Sequence, residues 1–168
     1  MKKALYCMAL LVGLFSLSAC EDFYGDLIVD WAPVSIYIEA VDADNHSIIS
    51  PEMPGMSLCF QGTTYTVKTE AEAETRAYFA RMKGLIAVPQ QTESGDTVYQ
   101  LVFGEIDGAK DMDEDITLTW PDGSTDVIHY HCSDHKEGRH PSCDRSWKLN
   151  GEKHEGGPFL FTGKSLPE

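Results

Sequence analysis

Residues 129–143, HYHCSDHKEGRHPSC, hold four of the chain's six histidines and two of its five cysteines. Imidazole and thiolate are the side chains that bind zinc and its neighbours. Two ligand sets can be written here. Cys132, His135, His140 and Cys143 form two knuckle-like pairs, Cys-x2-His and His-x2-Cys, suited to a tetrahedral zinc site. His129 and His131, two apart on one strand face, offer a chelate through imidazoles alone. A third chemistry competes for the thiols. In an oxidising compartment, two cysteines with ten residues between them close into a Cys132–Cys143 disulfide, worth roughly 2–3 kcal/mol on the chain-entropy model. A disulfide sulfur is no thiolate ligand, so these two outcomes exclude each other. The disulfide is the expected state and needs no cofactor; zinc is the alternative.

The compartment is written at the other end of the chain. In MKKALYCMALLVGLFSLSAC, Lys2 and Lys3 precede an apolar run, Ala4–Phe15, too short for a comfortable membrane span. Leu17-Ser18-Ala19-Cys20 resembles the lipobox of bacterial lipoproteins, whose cysteine receives a diacylglyceryl group and then, after cleavage, usually a third acyl chain. Two or more chains anchor a protein stably, at about 0.8 kcal/mol per buried CH2. The expected organisation is a signal peptide over residues 1–19, lipidation at Cys20, an acidic tether over 20–30 and one domain over 31–168. No other segment is long and apolar enough to span a bilayer, so the lipid is the expected membrane anchor, at the outer membrane of the cell envelope. Glu21 and Asp22 resemble an export signal for surface display, which leaves the periplasmic face and the cell surface both open.

Cleavage after residue 19 removes two lysines and no acid, leaving 11 basic residues against 27 acidic ones, a formal charge of −16. Such a surface repels nucleic acid and anionic headgroups, which excludes nucleic-acid partners. Cys7 leaves with the signal and Cys20 carries lipid, so Cys59, Cys132 and Cys143 remain. An odd number leaves one thiol over, and Cys59 is expected to be that one.

The elements that must position these residues read as strands. Val34, Ile36, Ile38 and Ala40 alternate with Ser35, Tyr37, Glu39 and Val41, and Asp42 to Asn45 reads as a turn. Further strands are expected over 56–61, 63–68, 97–106, 116–120, 126–132, 146–151 and 158–163. The expected fold is mainly β: one antiparallel β-sandwich of seven or eight strands. One stretch resists this pattern. Thr69-Glu70-Ala71-Glu72 has the form of a capping box and the residues up to Gly84 are good helix formers, so 69–83 is read as a short helix, with an extended RAYFARM as the alternative.

The sharpest local geometry is Trp120-Pro121-Asp122-Gly123-Ser124, which fits a type I turn followed by a left-handed residue. That loop sets Leu118 opposite Asp126 and Ile116 opposite Ile128. Ile116, Leu118, Trp120, Ile128, Tyr130 and Cys132 then share one face, with Thr117, Thr119, Val127, His129 and His131 on the other.

WAPVSIYIEAVDAD, TRAYFARMKGL, FGEIDG, WPDGSTDVIHY and the late RSWKLNG together resemble a group of small, uncharacterised cell-envelope lipoproteins of Bacteroidetes-type bacteria, over most of the mature chain. The resemblance implies an immunoglobulin- or transthyretin-like β-sandwich on a lipid anchor and supplies no activity. By that analogy RAYFARMKGL runs extended.

No nucleophile elbow, phosphate-binding glycine loop or HExxH helix occurs, so no enzymatic activity is expected. Asp111, Asp113 and Asp115 copy the first positions of a calcium loop, but its glycine is replaced by Ile116, and a solvated acidic strand is the expected reading. Trp31, Trp120 and Trp147 raise a glycan-binding module; Trp120 alternates with core residues, and Trp31 is the better placed for exposure. The leading expectation is a non-catalytic envelope lipoprotein that binds or scaffolds an envelope protein or glycan. Zinc binding through 129–143 and a glycan-binding module are the alternatives.

Overall fold

The computed structural model describes residues 34–69, 84–106, 111–137 and 140–166, without the side chains of Glu105, Lys136, Glu137, His140 and Pro141. The signal peptide, Cys20, the tether, Trp31 and residues 70–83 of the expected helix lie outside the described residues.

Ten strands form the described domain: β1 (Val34–Ala40), β2 (Ser57–Phe60), β3 (Thr63–Thr69), β4 (Gly84–Gln91), β5 (Thr97–Ile106), β6 (Met112–Thr119), β7 (Thr125–Glu137), β8 (His140–Leu149), β9 (Glu152–His154) and β10 (Phe159–Phe161). They join in one sheet, ordered β10-β1-β5-β4-β3-β2-β6-β7-β8-β9. The pairs β1–β10 and β3–β4 are parallel; the other seven are antiparallel. The fold is therefore mainly β, as expected, with one mixed sheet that curls into a half-barrel.

The turning point is β3. Thr63–Thr66 pair with β2, and Val67–Thr69 pair in parallel with β4. A strand that exchanges partners along its length makes a corner, and the two halves of the sheet then face each other. Phe103 of β5 meets Phe60 of β2, with ring centroids 5.7 Å apart. At the far ends, Trp147 of β8 and His154 of β9 both pack on Phe159 of β10. Ile36, Ile38, Leu85, Leu101, Leu58, Ile116, Leu118 and Ile128 fill the space between.

The alternation in β1 buries Ile36, Ile38 and Ala40. The turn after it is tied by Asp42, whose carboxylate accepts the backbone N–H groups of Asp44 and His46, the Asx geometry that this residue favours. β2 and β3 are joined by Gln61-Gly62, both at positive φ, a two-residue turn whose twist matches the flanking strands. Asn150-Gly151 does the same between β8 and β9. The strand expected over 146–151 therefore ends at Leu149, and β9 follows as a separate strand.

β4 was missed. Leu85, Ile86 and Ala87 are all buried, so both faces are covered and the alternation that betrays a strand is absent. Pro89 adds a contrary signal, yet pairing with β3 ends at Ala87, and beyond it a residue without an N–H is tolerated. Thr69 ends β3 and Gly84 opens β4.

Between β1 and β5 the register slips: Val34 faces Ile106 but Ile36 faces Phe103. Ser35 of β1 is therefore opposed by two residues, a β-bulge, and lies directly over Gly104. A Cβ at 104 would stand 2.6 Å from Ser35 Oγ and 3.1 Å from its Cβ. Gly104→Val should cost about 1–3 kcal/mol, as overpacking does, with Gly104→Ala milder. In a double-mutant cycle read by urea unfolding, Ser35→Gly should recover part of the Gly104→Ala loss. Strict additivity of the two would refute the contact.

Candidate functional site

The hairpin of β6 and β7 carries the chemistry, and its loop behaves as the sequence demands. Gly123 N–H donates to Trp120 O at 2.9 Å, Gly123 has φ +83°, and Leu118 and Ile116 face Asp126 and Ile128. Ile116, Leu118, Trp120, Ile128, Tyr130 and Cys132 are all buried on the inner face. His129 and His131 point to the outer face, opposite Asp115 and Asp113. The period of two that buries one set exposes the other.

On that outer face His129 is held between two carboxylates. Its Nδ1 is 2.8 Å from Asp115 Oδ1 and its Nε2 is 3.2 Å from Asp113 Oδ1. His131 Nδ1 lies 3.2 Å from the same Asp113 oxygen. The imidazole pair expected as a chelate is thus engaged by the acidic strand beside it. Asp113 and Asp115 are well exposed on β6. They rim an open cleft of about 460 Å³, together with Cys59, Gln61, Glu114 and His129.

β7 and β8 extend this ladder much further than the sequence reading carried it, and the extension re-sorts the His- and Cys-rich stretch. Along β7 and β8 the inner-face rungs are Tyr130 with Trp147, Cys132 with Arg145, and Asp134 with Cys143. His135 is three residues from Cys132 and so projects from the opposite face, where its Nδ1 is 3.8 Å from Asp144 Oδ2. The expected set of Cys132, His135, His140 and Cys143 is therefore not assembled. His140 opens β8 opposite Glu137, and its side chain is outside the described ones.

The structure joins no Cys132–Cys143 disulfide. The reason is register. Cys132 faces Arg145 and Cys143 faces Asp134, so the cysteines are diagonal neighbours, typically about 7–8 Å apart at Cα, beyond the reach of a relaxed disulfide. The sulfurs still approach each other. Cys132 Sγ, Cys143 Sγ and a carboxylate oxygen of Asp134 all lie within 4.8 Å of one another. Arg145 hydrogen-bonds to both sulfurs. Burial, then the bond and charge of Cys132, push the Cys143 thiol up to about 11, against the pull of Arg145. Asp134 and Arg145 went unnoticed in the sequence. The alternation Cys132-x-Asp134 was the available signal, and it becomes visible once the strand is run past Cys132.

Trp120 and Trp147 are spent on packing: Trp120 on Phe161, Trp147 between Tyr130 and Phe159. Among the described residues no tryptophan is left to stack on a sugar ring. No family model, curated protein or solved structure matches the chain.

Proposed function

We propose that the chain is a non-catalytic, lipid-anchored protein of the cell envelope that acts by binding, with the cleft on the outer face of β2, β6 and β7 as its binding surface. The observation that carries this reading is the cleft itself: open, about 460 Å³, and walled by Asp113, Glu114 and Asp115. Its chemistry favours a cationic group, such as a basic segment of another envelope protein. The surroundings speak against turnover. Both ring nitrogens of His129 are engaged by carboxylates, leaving neither to activate Cys59 in the same cleft. Cys143 is pushed away from the thiolate that a nucleophile requires. Anchoring through Cys20 rests on Leu17–Cys20, and the two facing halves of the curled sheet support an open variant of the immunoglobulin- or transthyretin-like sandwich.

The test is crosslinking in intact cells with the tagged full-length lipoprotein, followed by fractionation. Cys20→Ser should move the protein out of the membrane fraction. Asp113→Asn with Asp115→Asn should keep it in the membrane while at least tenfold less of its crosslinked neighbour is recovered. A neighbour captured equally by the cleft variant would reject the cleft as the binding surface.

A further inference from the structure

The inner-face rungs of β7 and β8 form a second constellation, separate from the cleft. Its residues change from buried to exposed within three rungs. Tyr130 is fully buried, Cys132 is 1% exposed, Cys143 is half-buried and Asp134 is exposed. The constellation therefore sits at the rim of the core, with Cys132 buried, Cys143 half-buried and Asp134 open to solvent. Its geometry follows from the sheet. Cys132 and Asp134 are two apart on one strand, Asp134 and Cys143 are directly opposed across the ladder, and all three share a face.

We propose that Cys132, Asp134 and Cys143 form a zinc-binding site, a use of this rim distinct from the binding cleft. Two sulfurs and one carboxylate oxygen within 4.8 Å of one another can close on a single ion, since zinc–sulfur bonds are about 2.3 Å and zinc–oxygen bonds about 2.0–2.2 Å. The donors are those a borderline-soft cation selects; calcium and magnesium select oxygen alone. Charge also balances. Two thiolates, one carboxylate and Zn²⁺ carry a net charge of −1, and the Arg145 guanidinium already bonded to both sulfurs offsets it. Binding releases the two thiol protons to solvent as the two Zn–S bonds form.

An independent observation points to the same place. Tyr130 Oη is buried with no hydrogen bond of good geometry to a described residue, and the Cys132 thiol is the group that comes nearest to serving as its partner. A buried hydroxyl left unsatisfied costs about 1–3 kcal/mol. Three protein ligands leave zinc a fourth position for water, and such a water would give this hydroxyl its partner.

The full-length lipoprotein, purified in detergent under anaerobic conditions and stripped of metal, should be titrated with cobalt(II) and then zinc(II). One cobalt per chain should bind with thiolate-to-cobalt charge-transfer absorption, and one zinc should displace it. Cys143→Ser should abolish that absorption. Asp134→Asn, an exposed position that should leave folding intact, should weaken zinc at least tenfold. Cys59→Ser and the pair His129→Gln, His131→Gln should leave stoichiometry and spectrum unchanged. Absence of the absorption at one equivalent of cobalt, or its persistence at full strength in Cys143→Ser, would overturn the site; so would zinc affinity unchanged by Asp134→Asn.

Discussion

Asp126→Ala is expected to destabilise the domain by about 3–5 kcal/mol, the range for removing one partner of a buried charge pair. Asp126 is the one buried charged residue among the described ones. Its Oδ2 accepts from Trp120 Nε1 at 2.6 Å and sits 2.6 Å from Lys164 Nζ, while its Oδ1 accepts from Asn150 Nδ2 at 2.7 Å. Asn150 in turn holds the β8–β9 turn against β7 by accepting from Val127 N–H. Truncation strands an ammonium that is 12% exposed and a buried indole N–H, and it loosens that turn. Lys164→Met should cost less, because the carboxylate keeps the Trp120 and Asn150 bonds. The effect carries its own pH signature. Burial alone would raise the Asp126 carboxyl, but the bonds from Lys164, Asn150 and Trp120 outweigh it and hold the group below its ordinary 3.8. A depressed folded-state value contributes stability above the unfolded value, and that contribution is lost as pH falls through the folded one. The gap between wild type and Asp126→Ala in urea midpoint should therefore be full at neutral pH and shrink below about pH 4. A gap under about 1 kcal/mol at neutral pH, the scale of a surface ion pair, would show that the network is not a structural hub.

Zinc affinity at the Cys132–Asp134–Cys143 site is expected to rise by at least a factor of about ten per pH unit from about pH 6 to 8. The groups facing Cys143 are Asp134 across the ladder, Cys132 and Arg145 one rung deeper and Tyr130 two rungs deeper. Cysteine thiols ordinarily ionise near about 8.5, above that window, so throughout it zinc must displace thiol protons. That displacement makes affinity climb with pH without levelling off. A site built from imidazoles instead would level off above their ordinary range near about 6.5. Competition with a chromophoric chelator at several pH values separates the two. A flat profile would rule out thiolate ligation by Cys143.

Much of this was legible from local pattern. Strand positions follow from alternation between turn residues, and β5 was read from its first residue to its last. The β6–β7 register follows from Pro121, Asp122 and Gly123, because a three-residue loop admits one pairing, and that pairing fixed both the buried set from Ile116 to Cys132 and the outward placement of His129 and His131. Local pattern failed where a strand lies between two covered faces, as at Leu85–Ala87, and where spacing was read without its period. Cys132-x2-His135 resembles a metal knuckle only if the chain turns there; in a strand that continues to Glu137, i and i+3 face opposite ways. The rest was decided in three dimensions. The exchange of partners along β3 curls one sheet where two layers were expected, and nothing within Thr63–Thr69 announces it, since each half of the strand carries an ordinary strand composition. The parallel seating of β10 on β1 and the Lys164–Asp126 pair join residues far apart in the chain. Alternation determines which face a side chain takes, but only the pairing of distant strands determines what it meets there.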